Sequence, residues 1–169
     1  MYIWNPTKTT ATLQAIPEGR AGVAATLAAM AKYAREGKKS LRVRQLALNL
    51  VQSLPPKDWR AQIVNLHAWV RDNIRYVRDI VGVETLHSPE KLLEIGQGDC
   101  DDKATLLAAM LLSIGHPVRF QAVGFKPGKF AHVYVETKHD NRWIPLETTE
   151  PVKAGWSPPG VVSRMIFPV

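Results

Sequence analysis

Gly98-Asp99-Cys100-Asp101-Asp102-Lys103-Ala104 decides how this chain of 169 residues is read. A glycine-containing loop gives way there to an apolar helix, and the only cysteine falls at the junction, at or within one residue of the helix start. Free backbone N–H groups and the positive end of a helix dipole favour a thiolate over a thiol at such a place. The expectation is a cysteine used for chemistry. Ala104, Leu106, Leu107, Ala108, Met110, Leu111 and Leu112 make the following segment apolar nearly all round as far as Ile114, with Gly115 as its stop. That pattern predicts a buried central helix that anchors Cys100.

Upstream, periodicity predicts three helices. The first runs over about 21–35. In the second, Val43, Leu46, Ala47, Leu50, Val51 and Leu54 recur at helical spacing until Pro55-Pro56 ends the pattern. Asp58 can cap the third, whose stripe of Trp59, Ile63, Leu66, Val70 and Ile74 ends near Tyr76. Ser88-Pro89-Glu90 starts a short helix through Leu93 that Gly96 and Gly98 stop. Downstream, 118–124, 130–137 and 142–147 read as strands, the last two forming an antiparallel hairpin about Lys138-His139-Asp140-Asn141. Helices first and an antiparallel sheet after make the chain α+β, with a helical N-terminal half packed on the sheet. Residues 1–18 read as an arm that can add an edge strand, and 151–169 as a tail whose last apolar run can pack on the sheet or meet a partner.

A nucleophilic cysteine needs a base, and the base an orienting acid. Centring the hairpin turn between His139 and Asp140 places His132 directly opposite Glu147, close enough for a carboxylate to hold an imidazole. The same register puts Val133, Val135, Ile144 and Leu146 on one face and His132, Tyr134, Trp143, Pro145 and Glu147 on the other. Other histidines have structural readings: His67 borders a helical stripe, His87 precedes a cap, His116 follows a helix stop and His139 sits at the turn. Asp140 and Glu150 are the fallback acids. Asp99, Asp101 and Asp102 favour the helix start as caps but repel a thiolate, so an imidazolium would have to outweigh them. As metal ligands, Asp99, Cys100 and Asp102 lack the supporting Cys/His cluster that such a site uses, so no metal and no cofactor are expected.

The run Gly-Asp-Cys-Asp-Asp-Lys-Ala-Thr-Leu-Leu at 98–107, Ala-His-Val-Tyr-Val-Glu at 131–136 and Trp-Ile-Pro-Leu-Glu-Thr-Thr at 143–149 resemble the three motifs of the transglutaminase-like cysteine superfamily, a branch of the papain-like fold. The likeness extends to Trp69-Val70-Arg71-Asp72-Asn73-Ile74-Arg75-Tyr76 and Ser88-Pro89-Glu90-Lys91-Leu92-Leu93, covering about 70–149, and small proteins of this type look like ones from bacteria and their phages. The resemblance implies Cys100 as nucleophile, His132 as base and Glu147 as orienting acid, with Glu147 departing from the aspartate usual there. It implies acyl transfer on amide bonds, with hydrolysis by a peptidase or amidase favoured over cross-linking by a transglutaminase. The reading from another class is a non-catalytic binding or virion-assembly protein that keeps the fold. The Cys100 backbone N–H is the first candidate oxyanion donor, and Gln97 a second.

The apolar share of 46% suits one domain over 1–169, with a core at about 56–150, an arm and helices at 1–55 and a tail at 151–169. Residues 1–78 carry 13 Lys/Arg against 4 Asp/Glu, whereas the remainder nets −2. These cations are scattered among apolar positions at helical spacing, as on solvated helix faces, so nucleic acid is not expected as a partner, and the protein or peptide substrate is what the resemblance implies. No apolar run is long enough for a bilayer and no signal core follows Met1, so the expected location is cytoplasmic, without membrane contact and with virion association as the alternative. A single cysteine makes no internal disulfide.

Overall fold

Helix α5 (Cys100–Ser113) lies at the centre of the computed structural model, which describes residues 16–79 and 85–169. Every residue from Asp101 to Leu111 is buried. The helix forms because its start is capped and its sides are covered: the Asp99 carboxylate accepts from the Asp102 N–H at 3.4 Å, and Gly115 ends it at φ +94°. Helices α1 (Gly19–Gly37), α2 (Leu41–Val51), α3 (Trp59–Asn73) and α4 (Pro89–Ile95) all pack against it. Full burial of Leu106, Leu107, Met110 and Leu111 contributes roughly 1.5–3 kcal/mol apiece to holding that arrangement.

The expected caps are present. Asp58 accepts from the Ala61 N–H at 2.9 Å to start α3, and Ser88 accepts from Lys91 at 3.3 Å with Pro89 in the first turn of α4. Two helices stop earlier than periodicity predicts. Helix α2 ends at Val51, because a residue before proline is driven out of the helical region and the Pro55-Pro56 pair frays the turn ahead of it. Helix α3 ends at Asn73, and Ile74 turns extended to feed β1 (Arg75–Tyr76). That strand pairs in parallel with β2 (Gln97–Gly98), tying the end of α3 to the loop before Cys100. Two-residue strands carry no readable period, which is why the sequence gives no sign of this ladder.

The main sheet runs β5–β4–β3–β6, antiparallel throughout: β3 (Val118–Gly124), β4 (His132–His139), β5 (Arg142–Leu146) and β6 (Ser163–Pro168). Phe120, Ala122, Val133, Val135, Leu146 and Met165 join α5 in the core. The other face carries Arg119, 2.6 Å from Glu136 and stacked 4.2 Å over Trp143, beside a hydrogen bond between Gln121 and the Tyr134 hydroxyl. Strand β6 comes from the tail and takes the edge beside β3. The edge strand suggested for the N-terminal arm falls mainly on residues 1–15, outside the described residues. Among the described residues no helix is long and apolar enough to cross a membrane.

The hairpin register differs from expectation by two residues. The turn is the two-residue Asp140-Asn141, with φ of 48° and 60°, so Lys138 faces Trp143 and Val135 faces Leu146. Positive φ at both central residues matches the right-handed twist of the flanking strands, and Asp and Asn tolerate it. The four-residue turn centred one position earlier loses to this tighter one. A shift of two preserves the faces, so His132 and Glu147 still lie on one side even though they are not directly opposed.

Candidate active site

Cys100 occupies the first helical position of α5, half-buried, with the backbone N–H of Val133 near enough to favour the charged form of its sulfur. That contact brings the helix tip to the start of β4, one residue from His132. Gly98 lets the chain ahead of the cysteine lie close against α5 and α4, for a Cβ on it would lie 2.5 Å from Asp102 Oδ2 and 2.7 Å from Leu92 Cδ1. Its φ is not positive, so the glycine is required for room, not for backbone freedom.

His132 opens β4, and its Nε2–H donates to Glu147 Oε2 at 2.5 Å. Glu147 is fully buried just past the end of β5, where the β4–β5 ladder has stopped at Val135 and Leu146. A residue two places out of register lies about 7–8 Å away diagonally, a gap that glutamate spans better than the shorter aspartate. The other carboxylate oxygen accepts from the Thr149 N–H at 2.6 Å and the Thr149 hydroxyl at 2.7 Å. Burial pushes the Glu147 carboxyl up, but the hydrogen bonds from His132 and Thr149 outweigh it and hold the group below its usual range. An ionised carboxylate only accepts, so the His132 proton sits on Nε2 and Nδ1 is left as the basic nitrogen.

The thiol departs from expectation. Burial pushes it up, and the carboxylates of Asp101, Asp99 and Glu147 add to the shift, with the Val133 N–H opposing them. The helix tip alone does not make a thiolate here, because desolvation and three negative charges outweigh a dipole confined to the first turn. Oxygens of Asp99, Asp101 and Asp102 gather within 4.8 Å of one another. Asp102 accepts from both the backbone N–H and Nδ1 of His87, at 2.7 and 2.9 Å, so its charge meets a protein donor.

Of the fallback acids, Asp140 lies at the turn beside His139, at 3.3 Å and 86% exposed, and Glu150 is exposed. Neither approaches His132 as Glu147 does. Gln97 is exposed on β2, and none of the hydrogen bonds among the described residues involves its side chain. His116 contacts Gln62 at 3.1 Å. His67 is buried on α3 and its Nε2–H donates to the Glu147 carbonyl at 2.5 Å, while burial holds its pKa below the usual histidine value. Lys103, 2% exposed, donates to the carbonyls of Ile74 at 2.6 Å and Arg71 at 3.3 Å. Thr149 and Lys103 escape sequence reasoning, although one cation in an otherwise apolar helix and a threonine two places past the acid are visible signals. A surface depression of about 430 Å³ bounded by Arg71, Arg75, Lys103 and Thr149 does not include Cys100 or His132.

Comparison with known proteins places the fold in a family. The family model of the transglutaminase-like superfamily matches residues 44–148. No curated protein matches the sequence. Among solved structures, the fold is similar to one described as a "putative protease" from Parabacteroides distasonis, at 18% identity and TM-score 0.60 over 74% of this chain and 26% of that one. It is similar to a "putative cysteine protease" from Cytophaga hutchinsonii, at 19% identity and TM-score 0.53 over 76% and 46%. Legionella pneumophila LapG aligns at 18% identity and TM-score 0.55 over 82% of this chain and 87% of its own. The chain thus spans about a quarter and under half of the first two proteins.

Proposed function

Because this chain belongs to the transglutaminase-like superfamily, we propose that it is a cysteine peptidase or amidase that hydrolyses a peptide or protein amide through Cys100, His132 and Glu147. The observation that carries the reading is the 2.5 Å hydrogen bond from His132 Nε2 to the buried Glu147 carboxylate, whose charge reaches the Cys100 sulfur at the start of β4. The similarity in fold to structures described as a "putative cysteine protease" and a "putative protease" supports it. The participation of β6 in the sheet supports reading 1–169 as one domain.

In this mechanism the thiol is not ionised in advance. Nδ1 of His132 takes the Sγ proton as sulfur attacks the carbonyl carbon, and the imidazolium that forms is held by Glu147. Negative charge gathers on the carbonyl oxygen, toward which the Cys100 backbone N–H, lacking an intrahelical acceptor in the first turn, can point. His132 then protonates the departing amine, leaving a thioester. Water, deprotonated by the same nitrogen, attacks the thioester and restores the thiol.

The test is incubation of the protein with a proteome-derived peptide library and identification of new termini by mass spectrometry, with and without an added primary amine. The arms are run in calcium chloride and in EGTA, because LapG has been solved in calcium-bound and EGTA-treated forms. Cleavage absent from Cys100→Ala is expected. Amine-capped products without free acids would make the chain a transglutaminase, and no product in any arm would sink the enzymatic reading.

A further inference from the structure

The β4–β5 ladder ends one residue before Glu147, so the sheet does not fix the backbone that carries the acid. That residue is nonetheless fully buried, and its carbonyl needs a donor. The donor comes from 80 residues upstream, from His67 in the middle of α3. We propose that His67 is a positioning residue, whose Nε2–H holds the Glu147 carbonyl and so sets where the carboxylate meets His132. The proposal rests on reading Cys100, His132 and Glu147 as a triad.

Two features separate positioning from mere packing. His67 belongs to a stripe otherwise made of Ile63, Leu66 and Val70, where an aliphatic side chain would bury without any polar cost. The helix that carries it is also the body to which the nucleophile is tied. Lys103 of α5 binds the carbonyls at the C-terminal end of α3, and the β1–β2 ladder joins the residues after α3 to the loop before Cys100. Through His67, the acid is therefore placed relative to the same framework as the sulfur. Thr149 acts on the carboxylate itself and leaves the main chain of Glu147 free, so the two contacts are not redundant.

The experiment uses three variants of the full chain: His67→Leu removes the donor, His67→Gln can place an amide N–H where Nε2 lies, and His67→Asn is polar but too short. The primary readout needs no substrate: the His132 Nε2–H proton resonance in protein labelled with ¹⁵N-histidine, assigned by its loss in Glu147→Ala. It is expected to move upfield or broaden in Leu and Asn and to return in Gln. In any peptide assay that reports Cys100-dependent cleavage, kcat should fall up to about 100-fold in Leu and Asn, KM should hold within about twofold, and Gln should recover most of the rate. A resonance unmoved in Asn, or unmoved in a Leu variant with native circular dichroism, overturns the proposal, as does failure of Gln to restore it. If Leu does not fold, Asn and Gln decide. Absence of any Cys100-dependent cleavage would sink the triad reading while the resonance still reports on His67.

Discussion

Replacing Glu147 by glutamine should reverse the tautomer of His132. Thr149 presents two donors to Oε1, at 2.6 and 2.7 Å, and the backbone N–H cannot rotate away. The amide oxygen of the variant must take that place, which leaves the amide NH₂ facing His132 Nε2 across the present 2.5 Å hydrogen bond. The opposite orientation would set NH₂ against N–H in a fully buried pocket, a loss of about 1–3 kcal/mol for each unsatisfied group. Nε2 must then accept, the ring proton moves to Nδ1, and the nitrogen needed to take the thiol proton is already occupied. In the serine-protease triad that serves as the general template, the equivalent change lowers kcat about 10⁴-fold, and a loss on the order of 10³ to 10⁴ is expected here. The assay pairs cleavage of the best peptide from the library with the ¹⁵N shifts of the His132 ring, which report the tautomer whether or not a substrate is known. A variant whose Nδ1 stays unprotonated, or that cleaves at the wild-type rate, would refute the reasoning.

The acidic surroundings of the sulfur predict that iodoacetamide alkylation of Cys100 shows no plateau below pH 7 and rises only beyond the ordinary thiol range near about 8.5. Asp101→Asn removes one of the charges that raise the thiol, so the rise should shift to lower pH; an unshifted profile would show that the Asp101 charge does not act on the sulfur. Gly124→Ala would place a Cβ 1.5 Å from the Lys129 carbonyl oxygen, and a marked loss of Tm or of soluble protein is expected; a variant melting with the wild type would contradict that packing. Burial lowers the Lys103 ammonium from 10.5 to about 8, so the folded chain sheds that proton before the unfolded one does. The group's contribution to stability therefore rises with pH between about 8 and 10.5, by up to about 3 kcal/mol. Urea midpoints at pH 7.5 and 10 should show the wild type gaining on Lys103→Met, and a constant difference would be evidence against the shift.

Helical order was legible because caps and periods agree locally: Asp58, Ser88 with Pro89, and Gly115 each mark a boundary that packing keeps. The pairing of His132 with Glu147 was legible for a different reason. Strand parity places both on one face in either register, so a misplaced turn did not separate the pair. What escaped was non-local. The state of the Cys100 thiol depends on how deeply α5 is covered and on which carboxylates close round it, and neither is written in the cysteine's immediate neighbours. Likewise His67 and Lys103 take their meaning from carbonyls 80 and 29 residues distant, contacts that no sequence period encodes. The β1–β2 ladder is too short to leave a pattern.

Gly98 gives those comparing related chains a rule of volume. With no left-handed backbone to maintain, its place two residues ahead of the sulfur is closed to a methyl group by the Asp102 carboxylate and the tip of Leu92. A relative bearing alanine or serine there should show a matching reduction at one of those two neighbours, and one that does not must carry the segment ahead of its cysteine displaced from the two helices it now lies against.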